Sequence, residues 1–292
     1  MIGWKALAAC ALAAGAAFAF AAAPQNALPG VPSVAQIVEG NATARGGVSA
    51  WRKVETMAWA GHTESGNAPG RVLSFLLEQK RPGSTRFEVM NDGQRSIRVY
   101  DGSNGWKLRP NGKGQPDLQM YSEEELRFAR GAQVIDGPLM DYAAKGAAIT
   151  LGGVGEALGR RAYVLDVKLP SGGAHRVWVD AQSYLELRHD REVRSAAGQP
   201  AIVSVFYRDY REFEGLKIPV TIETGDSRGV ATNRLVIEKV ALNPVLEEGM
   251  FVQPALPSAK RRSIVVDTRS AANAGAIRAL PAPPAPLSVT SP

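Results

Sequence analysis

Residues 121–145, YSEEELRFARGAQVIDGPLMDYAAK, are the clearest helical stretch in the middle of a chain that otherwise alternates like β-strands. Ser122 followed by Glu125 is a capping box, in which the two side chains bond backbone N–H groups that are unpaired at a helix start. An Asp-Gly step interrupts the pattern, and Pro138 then fits a new first helical turn because its missing N–H costs nothing there. We therefore predict two short amphipathic helices in this stretch.

The large apolar side chains of the two predicted helices are Leu126, Phe128, Leu139, Met140 and Tyr142. Helices inserted between antiparallel strands must bury such side chains against one face of the sheet. The insertion is then either a fixed plug or a movable lid, and the sequence leaves both alternatives open.

Strand-like alternation extends on both sides of the insertion. The separators GNAPG, RPG, NDG and DGSNG contain the residues of tight hairpins, so neighbouring strands are predicted to pair in a meander. The predicted strands are 54–62, 71–80, 84–91, 95–101, 104–109, 147–152, 161–169, 175–180, 184–194, 201–213, 216–223 and 232–242. The fold class is therefore mainly β (α+β), with a single highly curved antiparallel sheet, since a flat sheet of about a dozen strands would be unusual.

The ends of the chain differ from this central region. Residues 1–21 combine one Lys, an apolar run and a final Ala-Phe-Ala, which predicts a secretory signal peptide cleaved after Ala21. A membrane anchor is the alternative, but the run is dominated by Ala and ends at small residues. Residues 22–32 are predicted to be a linker, and residues 255–292 a disordered Pro/Ala-rich tail, because they offer too few large apolar side chains for a core.

Cys10 is the only cysteine of the 292 residues. Lipid attachment at this cysteine is disfavoured, because the apolar run before it is too short. Cleavage after Ala21 would leave a mature protein without cysteine, and therefore without a disulfide bond or a thiol nucleophile.

The net charge of +6 raises the question of nucleic acid binding. Basic residues alternate with apolar ones along the strands and are interleaved with acidic residues, which is typical of a solvated sheet face. Export also argues against nucleic acid, and attraction to anionic lipid head groups is the weaker functional alternative. Strands with one apolar and one polar face do not fit an outer-membrane barrel.

No motif in the sequence indicates catalysis, so we predict that the protein is not an enzyme. The glycine-rich residues 152–159 lack the spacing and the following helix of a dinucleotide loop. His62, His175 and His189 lie alone on different predicted strands, for which an exposed or structural role is favoured over metal binding. We predict no metal site and no cofactor.

Apolar and aromatic side chains on the strands could form an ordinary core or line a ligand cavity. Burial in a core is the usual role of each aromatic residue taken singly. The argument for a cavity is collective, because a strongly curved wide sheet encloses more space than a few short helices fill. The candidate cavity and lid residues are Trp59, Phe75, Leu77, Phe87, Val89, Trp106, Leu126, Phe128, Leu139, Met140, Tyr142, Tyr163 and Leu165.

The order of segments resembles the LolA/LolB-like outer-membrane lipoprotein-sorting proteins. The resemblance is carried by IVEGNATARGGVSAWRKVETMAWAG, LEQKRPGSTRFEV, VYDGSNGWKL, DGPLMDYAAKG, YREFEGLKIPVTIE and VALNPVLEEGMF. It implies a LolA-like domain at 33–254, folded as an unclosed half-barrel of about 11–12 strands with short helices covering the concave face. The chain lacks a well-placed lipidated cysteine, which makes it more similar to a soluble carrier than to a membrane-anchored receptor.

The resemblance implies a periplasmic carrier that holds acyl chains of lipoproteins or lipids in an apolar cavity under a helical lid. Membrane-anchored donor or acceptor proteins would be its partners, and we expect a monomer without a transmembrane segment after processing. The alternative is an envelope sensor or scaffold that binds acyl chains and a protein partner. A cryptic hydrolase is the least favoured reading.

Overall fold

The computed structural model describes residues 30–66, 68–91, 93–131, 135–170, 172, 174–194, 199–226 and 231–256. The predicted signal peptide at 1–21 lies outside the described residues, as do nearly all of the predicted linker and tail. The elements given below all belong to Pro32–Pro292, one of the two units into which backbone contacts divide the chain.

The described elements are three α-helices, thirteen strands and one 3-10 turn. The helices are α1 (Val34–Ala44), α2 (Val48–Trp51) and α3 (Glu123–Gly131), and the 3-10 turn is Glu248–Phe251. The strands are β1 (Thr56–Ser65), β2 (Ala68–Lys80), β3 (Ser84–Asn91), β4 (Gln94–Tyr100), β5 (Gly105–Pro110), β6 (Pro116–Met120), β7 (Ala148–Ala157), β8 (Arg160–Lys168), β9 (Ala174–Asp180), β10 (Glu186–Arg194), β11 (Pro200–Phe213), β12 (Leu216–Gly225) and β13 (Ala231–Leu242). None of the described helices has the length and apolar character needed to cross a lipid bilayer.

All thirteen strands form one antiparallel sheet in the order β6-β5-β4-β3-β2-β1-β13-β12-β11-β10-β9-β8-β7. Strands β6 and β7 are the two edges, so the sheet is not closed, and the predicted single open sheet is confirmed. Strand β6, which pairs with β5 from Trp106↔Met120 to Pro110↔Pro116, was not predicted. Five residues that begin with a proline give too short a pattern to identify a strand.

The sheet is strongly curved, as the contacts of α3 demonstrate. Glu125 binds Lys107 on β5, while Phe128 lies over Arg191 on β10. These two strands are eight steps apart in the sheet, or ~38 Å if the sheet were flat. Residues 125 and 128 are separated by only about 5 Å along a helix. The sheet therefore curves until β5 and β10 face each other across its concave side, and α3 crosses the opening between them.

Helices α1 and α2 cover another part of the concave side. A capping box lies at the start of α1, where Ser33 and Gln36 exchange hydrogen bonds. Gly40 allows the helix to approach the ring of Tyr184 closely, because a Cβ atom there would lie 2.5 Å from that ring. The Asn41 side-chain amide also donates to the Tyr184 carbonyl at 2.8 Å. These contacts fix α1 against the turn between β9 and β10.

The second helix predicted in the insertion is absent. Residues 135–146 form consecutive turns instead, with Asp141 at a φ of 54°. The buried Asp136 organises them, because its carboxylate accepts hydrogen bonds from Arg81 at 2.8 Å and from Lys145 at 2.6 Å. Lys145 also donates to the Gly137 carbonyl at 2.6 Å. The Asp-Gly step that looked like a helix break is thus the centre of a folded turn.

Candidate ligand-binding site

Helix α3 crosses the concave side and is held there by contacts with charged side chains of the sheet. The Glu125 carboxylate accepts hydrogen bonds from Lys107 Nζ at 2.8 and 3.0 Å and from Arg98 Nη2 at 2.8 Å. One turn later the Cζ atom of Arg191 lies 4.7 Å from the centre of the Phe128 ring. The predicted capping box is present as well, since Ser122 and Glu125 exchange hydrogen bonds. The helix is therefore attached to both sides of the half-barrel.

The first attachment is electrostatic. Partial burial of Glu125 favours its protonated form, but hydrogen bonds from Lys107 and the Ser122 backbone, with the charges of Arg98 and Lys107, outweigh this effect. Together they lower the pKa of Glu125 to about 2. Glu125 is therefore ionised at any physiological pH, and both cations stay paired with it.

The apolar residues of α3 are only loosely packed. No residue of α3 is buried, and Phe128 is 47% exposed, whereas α1 buries five of its residues. Ordinary amphipathic helices gain most of their stability from packing an apolar face. Because α3 buries no residue, little of the protein core depends on its position. The loose packing corresponds to the lid alternative for this half of the insertion.

An apolar surface lines the concave side in the middle of the sheet. Its buried members come from β2, β11, β12 and β13, and partly buried side chains from β1 and β3 extend it. The buried members are Phe75, Val205, Val220, Ile222 and Ile237, and the side chains around them include Trp59, Leu77, Phe87, Val89 and Tyr207. We call these residues the apolar lining. A surface of this kind suits hydrocarbon chains.

Residues 135–147 behave differently from α3. Leu139 and Met140 are completely buried. Met140 belongs to a second cluster with Trp51 of α2 and with concave residues of β1 and β12, among them Met57 and Ile218. This half of the insertion is a fixed plug. The two halves of the insertion therefore differ in burial, and a lid stays a prediction for α3 alone.

The structure brings some of the predicted site residues together and separates others. Trp59, Phe75, Leu77, Phe87 and Val89 lie in the apolar lining, Leu126 and Phe128 are on α3, and Leu139, Met140 and Tyr142 belong to the turn segment. Tyr163 and Leu165 are buried on β8, where the Tyr163 ring lies 6.0 Å from that of Tyr184. Tyr163 therefore lies beside α1 rather than beneath α3. Ligand contact by any of these residues stays a prediction.

Trp106 lies on the convex face, so its placement in the concave cavity is wrong. It is aligned with Val99, and Val99 with Arg86, whereas the neighbouring Phe87 of the apolar lining is aligned with Arg98. In β3 the apolar side chains thus lie on the concave face of the sheet, whereas in β4 they lie on the convex face. The residues that follow β13 cover this convex patch and form one cluster with Trp106, consisting of Ile97, Val99, Leu108, Leu118, Leu246, Met250 and Phe251.

A buried polar cluster on the concave side was not predicted. Nδ1 of His175 and Nε2 of His189 lie 2.9 Å apart, so these two histidines are not isolated. Arg191 is aligned with His175 and belongs to the same face. Burial, followed by the charge of Arg191, lowers the pKa of His175 to about 4 and that of His189 well below its ordinary value. A hairpin centred near Gln182 would have revealed this pair from the sequence.

The histidine pair should make the protein sensitive to acid. Between pH 6.5, the ordinary pKa of histidine, and about pH 4, both histidines stay neutral in the folded state. In the unfolded chain the same two side chains bind protons over this range. The free energy of unfolding should therefore fall as the pH decreases from 6.5 to about 4. His189→Gln should reduce this loss, as measured by urea unfolding across that range. His62→Gln, on β1, is the control, and an equal reduction by both variants would contradict the prediction.

The geometry of the site can be compared with known structures. A LolA superfamily protein from Nitrosomonas europaea superposes with a TM-score of 0.50 and 13% sequence identity, covering 76% of this chain and 98% of that one. This chain has the fold of the LolA superfamily. An outer membrane lipoprotein-sorting protein domain from Vibrio parahaemolyticus has a TM-score of 0.49 and 13% identity, covering 74% of this chain and 94% of that one.

No family model and no curated protein matches the chain. At 13% identity the comparison establishes the LolA fold and nothing about the ligand. The concave side of the sheet and helix α3 are therefore the features of this protein that bear on its function.

Proposed function

We propose that this protein is a non-enzymatic binding protein, exported to the periplasm, that carries acyl chains of lipoproteins or lipids under α3. The observation that carries the proposal is the loose packing of α3, which crosses the concave side that contains the apolar lining and has no buried residue. A helix with a purely structural role would bury its apolar stripe. The shared LolA fold and the N-terminal sequence typical of export support the same function.

The energies involved are compatible with a carrier. Opening α3 breaks the contacts of Glu125 with Lys107 and Arg98, and partly exposed ion pairs of this kind contribute about 1 kcal/mol or less each. Burial of hydrocarbon returns about 0.8 kcal/mol for each CH₂ group. Two or three methylene groups placed on the apolar lining therefore offset the opening of the helix. The remainder of an acyl chain would stabilise the bound state.

Cargo can be identified directly. The protein should be purified from the periplasm without detergent, and the acyl species that copurify with it should be analysed by mass spectrometry. A delipidated sample should then bind a fluorescent fatty acyl probe reversibly. If no acyl species copurifies and the delipidated protein binds no probe, the carrier proposal is wrong.

Glu125→Gln should accelerate ligand release. The amide keeps the capping box with Ser122 but removes the charge that attracts Lys107 and Arg98 to α3. Loss of two such pairs should raise the dissociation rate of the acyl probe by roughly fivefold or more. Stopped-flow fluorescence measures this rate.

Glu123→Gln is the matched control for this variant. It makes the same change of charge on the same helix, at an exposed position for which the described residues include no ion pair. Its release rate should equal that of the wild type. If Glu125→Gln also releases the probe at the wild-type rate, α3 does not control access to the concave side.

A further inference from the structure

Two polar clusters lie on the concave side, and they differ in how their charges are paired. In the first, each cation contacts a carboxylate. Arg45 lies 3.2 Å from Glu186, and Arg81 and Lys145 lie 2.8 and 2.6 Å from Asp136. Each cation of this cluster therefore has a carboxylate partner, and the cluster fixes α1 and the turn segment to the sheet.

The second cluster contains Arg191 and lacks an anion. The Nε atom of Arg191 is buried and has no hydrogen-bond partner, and among the described residues no carboxylate forms an ion pair with its guanidinium group. The guanidinium group of Arg191 lies against the Phe128 ring of α3, whose centre is 4.7 Å from Cζ. Arg191 as a whole is half-buried, but a guanidinium nitrogen withdrawn from water without a partner is costly, so the folded protein retains an unfavourable polar group at this position.

The groups around Arg191 do not neutralise it. His175 and His189 are neutral at physiological pH, because burial and the charge of Arg191 lower the pKa of both. Burial raises the pKa of Tyr207 to about 12, so its hydroxyl group is also neutral. The cluster therefore carries one positive charge among neutral imidazole and hydroxyl groups, which can complete the hydrogen bonding of an anion.

The apolar lining begins directly beside this charge. Arg191 is aligned with Val203, and His189 with Val205, a buried member of the apolar lining. A small free anion would lose its hydration here without gaining from the neighbouring apolar surface. An amphiphile would place its charged group on Arg191 and its chain on the lining. Phe128 would close over the junction of the two.

We propose that Arg191 binds the oxyanion of a negatively charged amphiphile, a fatty carboxylate or a phosphodiester head group, whose chain occupies the apolar lining. This inference rests on the proposed function and narrows it to anionic cargo. The acyl chains would then enter with their charged end toward β10.

A pair of matched probes tests this assignment. Pyrene-labelled hexadecanoic acid and its methyl ester have the same chain and differ in one charge. The wild type at pH 8 should bind the acid roughly tenfold or more tightly than the ester, since a hydrogen bond to a charged group discriminates by at least that factor. Arg191→Met should abolish the preference, so that the acid and the ester bind with equal affinity, and Arg191→Lys should retain most of it.

The outcomes separate this inference from the proposed function. If neither probe binds the wild type, the carrier proposal itself fails. If both probes bind equally, or if Arg191→Met still prefers the acid, the anion site is wrong although the carrier proposal stands. Removal of an unpaired cation should not reduce stability, so the melting temperature of Arg191→Met should equal or exceed that of the wild type. A large decrease would contradict the view that this charge is uncompensated.

A final arm distinguishes an amphiphile from a free anion. Inorganic phosphate at millimolar concentration, without any amphiphile, should leave the melting temperature of the wild type unchanged. A rise that is absent in Arg191→Met would show that the site takes free phosphate, and it would overturn the assignment to a lipid head group.

Discussion

Leu139→Asp is expected to abolish folding, whereas Phe128→Asp should leave stability within about 1 kcal/mol of the wild type. Both changes introduce a carboxylate into the insertion that crosses the concave side. Leu139 is completely buried in the turn segment, where an unpaired charge costs several kcal/mol, a large fraction of the stability of a typical domain. Phe128 is 47% exposed, and a carboxylate there stays hydrated and lies near the unpaired Arg191.

Circular dichroism and urea unfolding of the two variants measure this difference. The comparison tests whether the insertion is divided into a movable helix and a fixed plug. A folded Leu139→Asp variant with wild-type stability would mean that residues 135–146 can leave the core. Equal and severe loss of stability in both variants would mean that α3 is as fixed as the turn segment, and the lid would have to be abandoned.

Most of the strands followed from local patterns in the sequence. Alternation of side chains was sufficient to place Tyr163, Leu165 and Val167 on one face of β8, and Val203, Val205 and Tyr207 on one face of β11. The two capping boxes were equally local, because Ser33 and Ser122 each bond a side chain three residues away. Predictions of this kind depend only on neighbours in sequence.

The features that were not predicted depend on distant parts of the chain. Trp106 and Leu108 share one face of β5, and this convex face is apolar because Phe251, more than a hundred residues later, covers it. The second half of the insertion is a set of turns because Asp136 meets Arg81. The polar cluster at His175 arises from the register between β9 and β10. A short stretch of sequence does not reveal which distant residues cover a sheet face, or how two strands are aligned.

The convex face provides a second large effect, at Glu78 of β2. This residue is completely buried, and neither of its carboxylate oxygens has a hydrogen-bond partner among the described residues. Its nearest cation, Arg86, lies 3.8 Å away and donates instead to Glu88 at 3.1 Å, which also binds Arg95 at 2.8 Å. Glu78 is therefore a buried carboxylate whose nearest cation, Arg86, donates its hydrogen bond to another acid.

Burial raises the pKa of Glu78 from its ordinary value of 4.5 to about 7, against the opposing charge of Arg86. Between these two values the folded state keeps a proton that the unfolded chain has released. The free energy of unfolding therefore falls as the pH rises from 4.5 to about 7 and stays low above it. A pKa difference of about 2.5 corresponds to a loss on the order of 3 kcal/mol, which is large for a single side chain.

Glu78→Gln, which imitates the protonated acid, should therefore stabilise the protein by on the order of 3 kcal/mol at pH 8 and leave it unchanged at pH 4.5. Urea unfolding at the two pH values measures both effects, and the histidine contribution cancels because both proteins contain the same histidines. Glu88→Gln is the matched control and should destabilise at pH 8, since it removes the carboxylate that binds both Arg86 and Arg95. If Glu78→Gln instead destabilises at pH 8, attraction to Arg86 outweighs the cost of burying the charge.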